Sequence, residues 1–103
     1  MTDRIETLKE YLKSSPRDSF LKHALALEYI KIKNYKDAQR LFEEVLLYEP
    51  TYIGSYYHLG KLLERTGETE EAIRIYEKGL IEAKKTGDTH SYNELRSAYE
   101  ELI

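Results

Sequence analysis

Laid over itself, the chain matches best at an offset of 34 residues: ALALEYIKIKNYKDAQRLFEEVLLYEP, from Ala24, falls on HLGKLLERTGETEEAIRIYEKGLIEAK, from His58. That period is the length of a helical hairpin, a unit that cannot bury its apolar face alone and must stack on others like it. In this register Leu25 meets Leu59, Ala26 meets Gly60, Ala38 meets Ala72, Phe42 meets Tyr76 and Val45 meets Gly79. Small residues therefore recur at fixed places. A glycine inside a helix costs about 0.5 to 1 kcal/mol relative to alanine, so Gly60 and Gly79 mark points where another helix crosses too closely for a side chain.

The repeated positions resemble the tetratricopeptide repeat, whose pattern is W-x2-L-G-x2-Y, then A-x3-F, then P. The first copy reads Lys22-x2-Leu25-Ala26-x2-Tyr29, Ala38-x3-Phe42 and Pro50; the second reads Tyr56-x2-Leu59-Gly60-x2-Leu63 and Ala72-x3-Tyr76. Three departures carry expectations. Lys22 occupies the aromatic position, so Phe20 or Leu21 is expected to supply the missing bulk. Lys84 replaces the second proline, so that helix is expected to run about a turn further, to Gly87. Lys33 stands where the family has glycine, and Asn34 is expected to take the left-handed conformation instead.

The resemblance implies an all-α, right-handed α-solenoid of about six helices in a single domain, 1–103. Its parts are an N-terminal capping helix at 3–13, repeats at 19–52 and 53–87, the second with an extended outer helix, and a C-terminal capping helix at 89–102. Leu8, Tyr11 and Leu12 align with Phe42, Val45 and Leu46, while Tyr92, Leu95 and Tyr99 repeat the spacing of Tyr56, Leu59 and Leu63. Arg4 and Arg96 fall where the repeats carry small residues, which suits closing helices and an array complete at both ends. Pro16, Pro50, Gly67 and Gly87 lie at the breaks. Asp18 and either Asp88 or Thr89 are candidate N-caps, and Asp3 with Glu6 has the form of a capping box.

Composition narrows the chemistry. A 103-residue chain is one domain by length, and 34% charged residues with two prolines and five glycines suit a helical protein. The net charge of −3 comes from interspersed acids and bases, without a basic stripe for nucleic acid. There is no cysteine to make a disulfide, a thiolate nucleophile or a zinc ligand, which fits a reducing compartment. MTDRIETLKEYLK has no apolar leader core, and no later run approaches the roughly 20 apolar residues of a membrane span, so no membrane insertion and a cytoplasmic location are expected. His23 and His58 lack metal-ligand spacing, no serine sits in a nucleophile elbow, and no glycine-rich phosphate loop occurs. Glu43-Glu44, Glu70-Glu71 and Glu100-Glu101 read as solvated helix faces. No catalysis, metal or cofactor is expected.

Tetratricopeptide arrays are scaffolds that bind a peptide or protein segment in a concave groove formed by the first helix of each hairpin, and the resemblance implies that function here. Its groove positions fall on Phe20, His23, Leu27 and Lys31, then Tyr57, His58, Lys61 and Glu64, then Asn93, Glu94 and Ser97. Phe20 has a competing role in the core. Lys31, Lys61 and the histidines imply a partner with acidic residues and an apolar or aromatic anchor, while Glu94 and Glu100 make the far end more acidic. Family members that clamp chaperone tails use lysine and asparagines, a set that His23 with Leu27 and His58 with Lys61 do not reproduce. Tyr29, Tyr56, Tyr76 and Tyr99 read as core, and Tyr57 as the functional tyrosine. The alternative is a self-assembling scaffold or homo-oligomer joined through a terminal stripe of Tyr92, Leu95, Tyr99, Leu102 and Ile103.

Overall fold

The computed structural model describes residues 3–103, the side chain of Asp3 excepted, so the capping box read at Asp3 and Glu6 lies outside the described residues. Six helices and no strand occur among them: α1 Asp3–Ser14, α2 Ser19–Lys31, α3 Tyr35–Tyr48, α4 Gly54–Arg65, α5 Thr69–Thr86 and α6 Thr89–Glu100. The all-α expectation holds. The chain divides into two compact units, Met1–Glu49 and Pro50–Ile103.

In the first unit α1 packs on α2, and α2 on α3. Ile5 and Leu8 of α1 are buried, as are Leu25, Ala26 and Tyr29 of α2 and Ala38, Leu41, Phe42 and Val45 of α3. Tyr11, aligned with the buried Val45, remains exposed because α2 is the neighbour against which α1 packs in this unit. Asp18 caps α2, its carboxylate accepting from the Leu21 amide at 3.0 Å. This removes one of the unpaired amides that every helix start carries.

Two expectations for this unit are corrected. Phe20 is 65% exposed and does not fill the core. Lys22 fills the aromatic position itself: it is 9% exposed, its ammonium lies 3.2 Å from the Glu44 carboxylate, and it sits 5.4 Å from the centre of the Tyr48 ring. A lysine has four methylenes to bury and a charge that can be led out to a partner, which is how it occupies an aromatic slot. The left-handed residue is Lys33 (φ 63°), not Asn34. Asn34 is already committed, its side-chain oxygen accepting from the Asp37 amide at 3.3 Å as the cap of α3. Lys33 thus adopts the conformation that Gly67 (φ 83°) takes one repeat later.

The second unit packs α5 against both α4 and α6, and α4 also touches α6. Tyr56, Leu59, Gly60, Leu62 and Leu63 of α4 are buried, as is the fully enclosed Tyr76 of α5. A Cβ added to Gly60 would lie 2.1 Å from that tyrosine ring. One added to Gly79 would meet the Cβ of Tyr56 at 2.7 Å and a methyl of Leu95 at 3.0 Å. Both glycines are therefore required by close approach. The extended outer helix is also present, since α5 has 18 residues against 14 for α3 and ends at Gly87 in the left-handed conformation (φ 74°).

The stripe on α6 does not survive as an open surface. Leu95 is in the core, Tyr92, Tyr99 and Leu102 are half-buried, and Ile103 is exposed. Leu95 is spent on α5, where it meets the space above Gly79. Arg4 and Arg96, by contrast, are exposed and paired, with Glu28 at 3.1 Å and with Glu100 at 2.9 Å.

Two stability predictions follow from these contacts. Gly60→Ala, normally favourable in a helix by about 1 kcal/mol, is expected to destabilise the protein by about 1 to 3 kcal/mol through overpacking. Denaturant unfolding should show a lower midpoint; an unchanged or higher one would contradict the packing against Tyr76. Lys33→Gly should act in the opposite direction and raise stability by about 1 kcal/mol, because the left-handed conformation strains any residue with a Cβ. The same unfolding experiment checks it.

Candidate functional site

The residues that the sequence places on first-type helices divide between the two units. In the second unit, α4 and α6 flank a cavity of about 240 Å³ lined by Tyr57, Lys61, Glu94, Ser97, Ala98 and Glu101. Four of the sequence-selected residues meet there: Tyr57, Lys61, Glu94 and Ser97. Tyr57 is half-buried, because its neighbour Tyr56 takes the core-facing direction and successive helix residues point about 100° apart. Lys61 lies one turn on, its ammonium 5.9 Å from the Tyr57 ring centre and 3.9 Å from the Glu64 carboxylate.

Glu64 joins this surface to the core. Its carboxylate accepts a hydrogen bond from the Tyr76 hydroxyl, whose ring is the one pressed against Gly60. Burial, reinforced by that carboxylate, drives the phenol well above the ordinary tyrosine range, so it remains a donor. His58 stands edge-on to Tyr57 at 5.5 Å between ring centres. Burial lowers its pKa from the ordinary imidazole value, with the charge of Glu94 acting in the opposite direction. A neutral imidazole beside an aromatic ring gives the α4 surface a weakly polar patch.

Glu101 and Ala98 are part of the cavity wall, although the sequence assigns Glu101 only to a solvated face and does not single out Ala98. The signal was available, since Glu94, Ser97, Ala98 and Glu101 follow the i, i+3, i+4, i+7 spacing of one helix face. Glu100, expected to acidify this end, instead pairs with Arg96 at 2.9 Å. Asn93 is exposed and does not line the cavity. Glu94 also lies 3.4 Å from His90, an imidazole that is almost fully solvated.

The first unit carries Phe20, His23, Leu27 and Lys31 on α2. Phe20 and Lys31 are exposed, whereas His23 and Leu27 are half-buried. His23 meets the buried Phe42 ring edge-on at 5.4 Å, so it is partly a packing residue. Lys31 donates to Glu28 at 3.0 Å, and Glu28 also accepts from Arg4 at 3.1 Å. The hydrogen bond from Lys31, with that from Arg4, holds the Glu28 carboxyl below its ordinary value. Among the described residues no group of three histidine, cysteine, aspartate or glutamate side chains is placed to hold a metal ion. None of the helices is long and apolar enough to cross a membrane.

The tetratricopeptide repeat family matches residues 29–98, and the chain belongs to that family. A tetratricopeptide repeat domain protein from Salinibacter ruber has a crystal structure that matches with a TM-score of 0.79 and 41% identity, covering 82% of this chain and 94% of that one. A solution structure from Bordetella parapertussis matches with a TM-score of 0.81 and 26% identity, covering 95% and 85%. The TPR2B domain of yeast Sti1, solved in complex with pHsp70, shares the fold with a TM-score of 0.88 at 14% identity, covering 95% and 78%. A comparison with curated proteins gives no significant match. The tetratricopeptide fold generally mediates protein–protein interaction, and the family is one of non-enzymatic interaction modules.

The electrostatics of His58 give a pH prediction. Its folded pKa is depressed, so the unfolded chain takes up a proton first on acidification. The contribution of the neutral imidazole is present above the ordinary imidazole value and is lost as the pH falls through the folded one. An NMR titration should place the His58 midpoint below that of a free imidazole, and Glu94→Gln should lower it further by removing a charge that favours the protonated form. A midpoint that rises in the variant would contradict the placement of Glu94 near His58.

Proposed function

We propose that the chain is a recognition module that binds a peptide or protein segment on its first-type helices, with α4 and α6 of the second unit supplying one contact surface and α2 of the first unit contributing its own face. The observation that carries this reading is the convergence of Tyr57, Lys61, Glu94 and Ser97 around one cavity. A half-buried tyrosine braced by a neighbouring ring loses little freedom on binding, which is the property of an aromatic anchor. The 103 residues serve as a single module, with repeats 19–52 and 53–87 between the helices at 3–13 and 89–102.

The partner segment brings an apolar or aromatic side chain to Tyr57, or to Phe20 and Leu27, and acidic residues to Lys31 and Lys61. Yeast Sti1 TPR2B takes pHsp70; here His23, Leu27, His58 and Lys61 stand at the places of the family's carboxylate clamp, so a different segment is favoured. Peptide recognition of this kind uses main-chain placement along helix faces and side-chain pockets for specificity.

The test is titration of a captured partner segment against two variants. Tyr57→Ala is expected to weaken binding by about 2 kcal/mol or more, as loss of a buried aromatic anchor does. Lys61→Glu is expected to cost about 1 kcal/mol or less at low salt, and the loss should shrink as salt rises. Equal binding by the wild type and both variants would remove this surface from consideration.

A further inference from the structure

We infer that the cavity between α4 and α6 selects a segment bearing a lysine or arginine side chain, whose charged head is held by Glu94 and Glu101 while its stem crosses Tyr57 and Ala98. This deepens the recognition reading above and rests on it. The charge around the cavity is unequal. Two carboxylates, Glu94 and Glu101, face one ammonium, Lys61, and that ammonium already has the Glu64 carboxylate 3.9 Å away. Glu101 makes no side-chain hydrogen bond or ion pair among the described residues, although its charge reaches the buried Tyr76 phenol. Glu94 is 3.4 Å from His90, which neutralises it only when protonated. His58, which the charge of Glu94 reaches, is held toward its neutral form by burial.

The shape agrees with the charge. About 240 Å³ accommodates one long side chain, and the wall offers an apolar floor at Ala98 and the ring of Tyr57, with a hydroxyl at Ser97. Lysine and arginine have this form, an aliphatic stem with a cationic head. Arginine adds planar stacking on an aromatic face and paired donors for carboxylates. A bare metal ion is a poorer occupant, because no third carboxylate or imidazole is placed to complete its coordination.

The experiment is selection from a displayed library of short random peptides on the full chain, repeated on Glu94→Gln with Glu101→Gln, and with Glu70→Gln as a control on an exposed part of α5. The wild type and the control should enrich peptides containing lysine or arginine. The double variant should still enrich peptides but lose that preference. A selected basic peptide should bind about two- to fivefold more weakly for each carboxylate removed, with the difference narrowing at high salt. Enrichment with no basic preference would overturn this inference while leaving peptide recognition intact; acidic residues enriched beside the basic one are those that Lys61 meets. Enrichment of no peptide by any protein would overturn both.

Discussion

The absence of a side chain at Gly60 is the constraint on which the second unit depends. It lets the fully buried Tyr76 ring lie where a Cβ would be 2.1 Å away, and so sets the separation of α4 from α5. Gly79 does the same one turn further along α5, admitting Tyr56 of α4 and Leu95 of α6. The two glycines together place α4 and α6 on one supporting helix. From there the order passes outward: the Tyr76 hydroxyl fixes Glu64, Glu64 faces Lys61, and Lys61 lies over Tyr57. A surface that bears Tyr57, Glu94 and Ser97 is thus positioned from the buried contacts of Gly60, Tyr76 and Gly79 beneath it.

The first unit meets the same requirement with different material. Ala26 and Phe42 occupy the register of Gly60 and Tyr76, and both are fully buried. The pair is one methyl larger on one partner and lacks the hydroxyl on the other, so no phenol is available there to tie a surface carboxylate to the core. Lys22 adds a second substitution, replacing aromatic bulk by a methylene stem and a guided charge. A buried ammonium is tolerable because Glu44 meets it, and leaving it unpaired would be costly.

What the sequence made legible follows the same division. The period, the small residues at crossings and the longer α5 could be read because packed faces admit few residue types, and a glycine in a helix demands an explanation. The left-handed turn was assigned one residue late, at Asn34, because asparagine suits both that conformation and an N-cap; the structure uses it as a cap and places Lys33 in the strained position. Lys22 was passed over as a core residue because its charge masked a long apolar stem. The candidate site was read only in part. Tyr57, Lys61, Glu94 and Ser97 come together, whereas Ala98 and Glu101 were missed although they share the helix face of Glu94.

Those omissions have a physical cause. A residue on the packed face is limited by what it touches, so its neighbours in the fold can be inferred from the repeat. A residue on the open face is limited chiefly by what it will bind, and the repeat carries no record of that. Glu100 and Glu101 show the difference: adjacent and identical in type, one is closed by Arg96 at 2.9 Å and the other lines the cavity. Helix rotation of about 100° per residue separates them into a structural ion pair and a part of the cavity wall. The family's period can place both carboxylates on α6 and its end, but only the side-chain geometry of this chain decides which of them remains open to a partner.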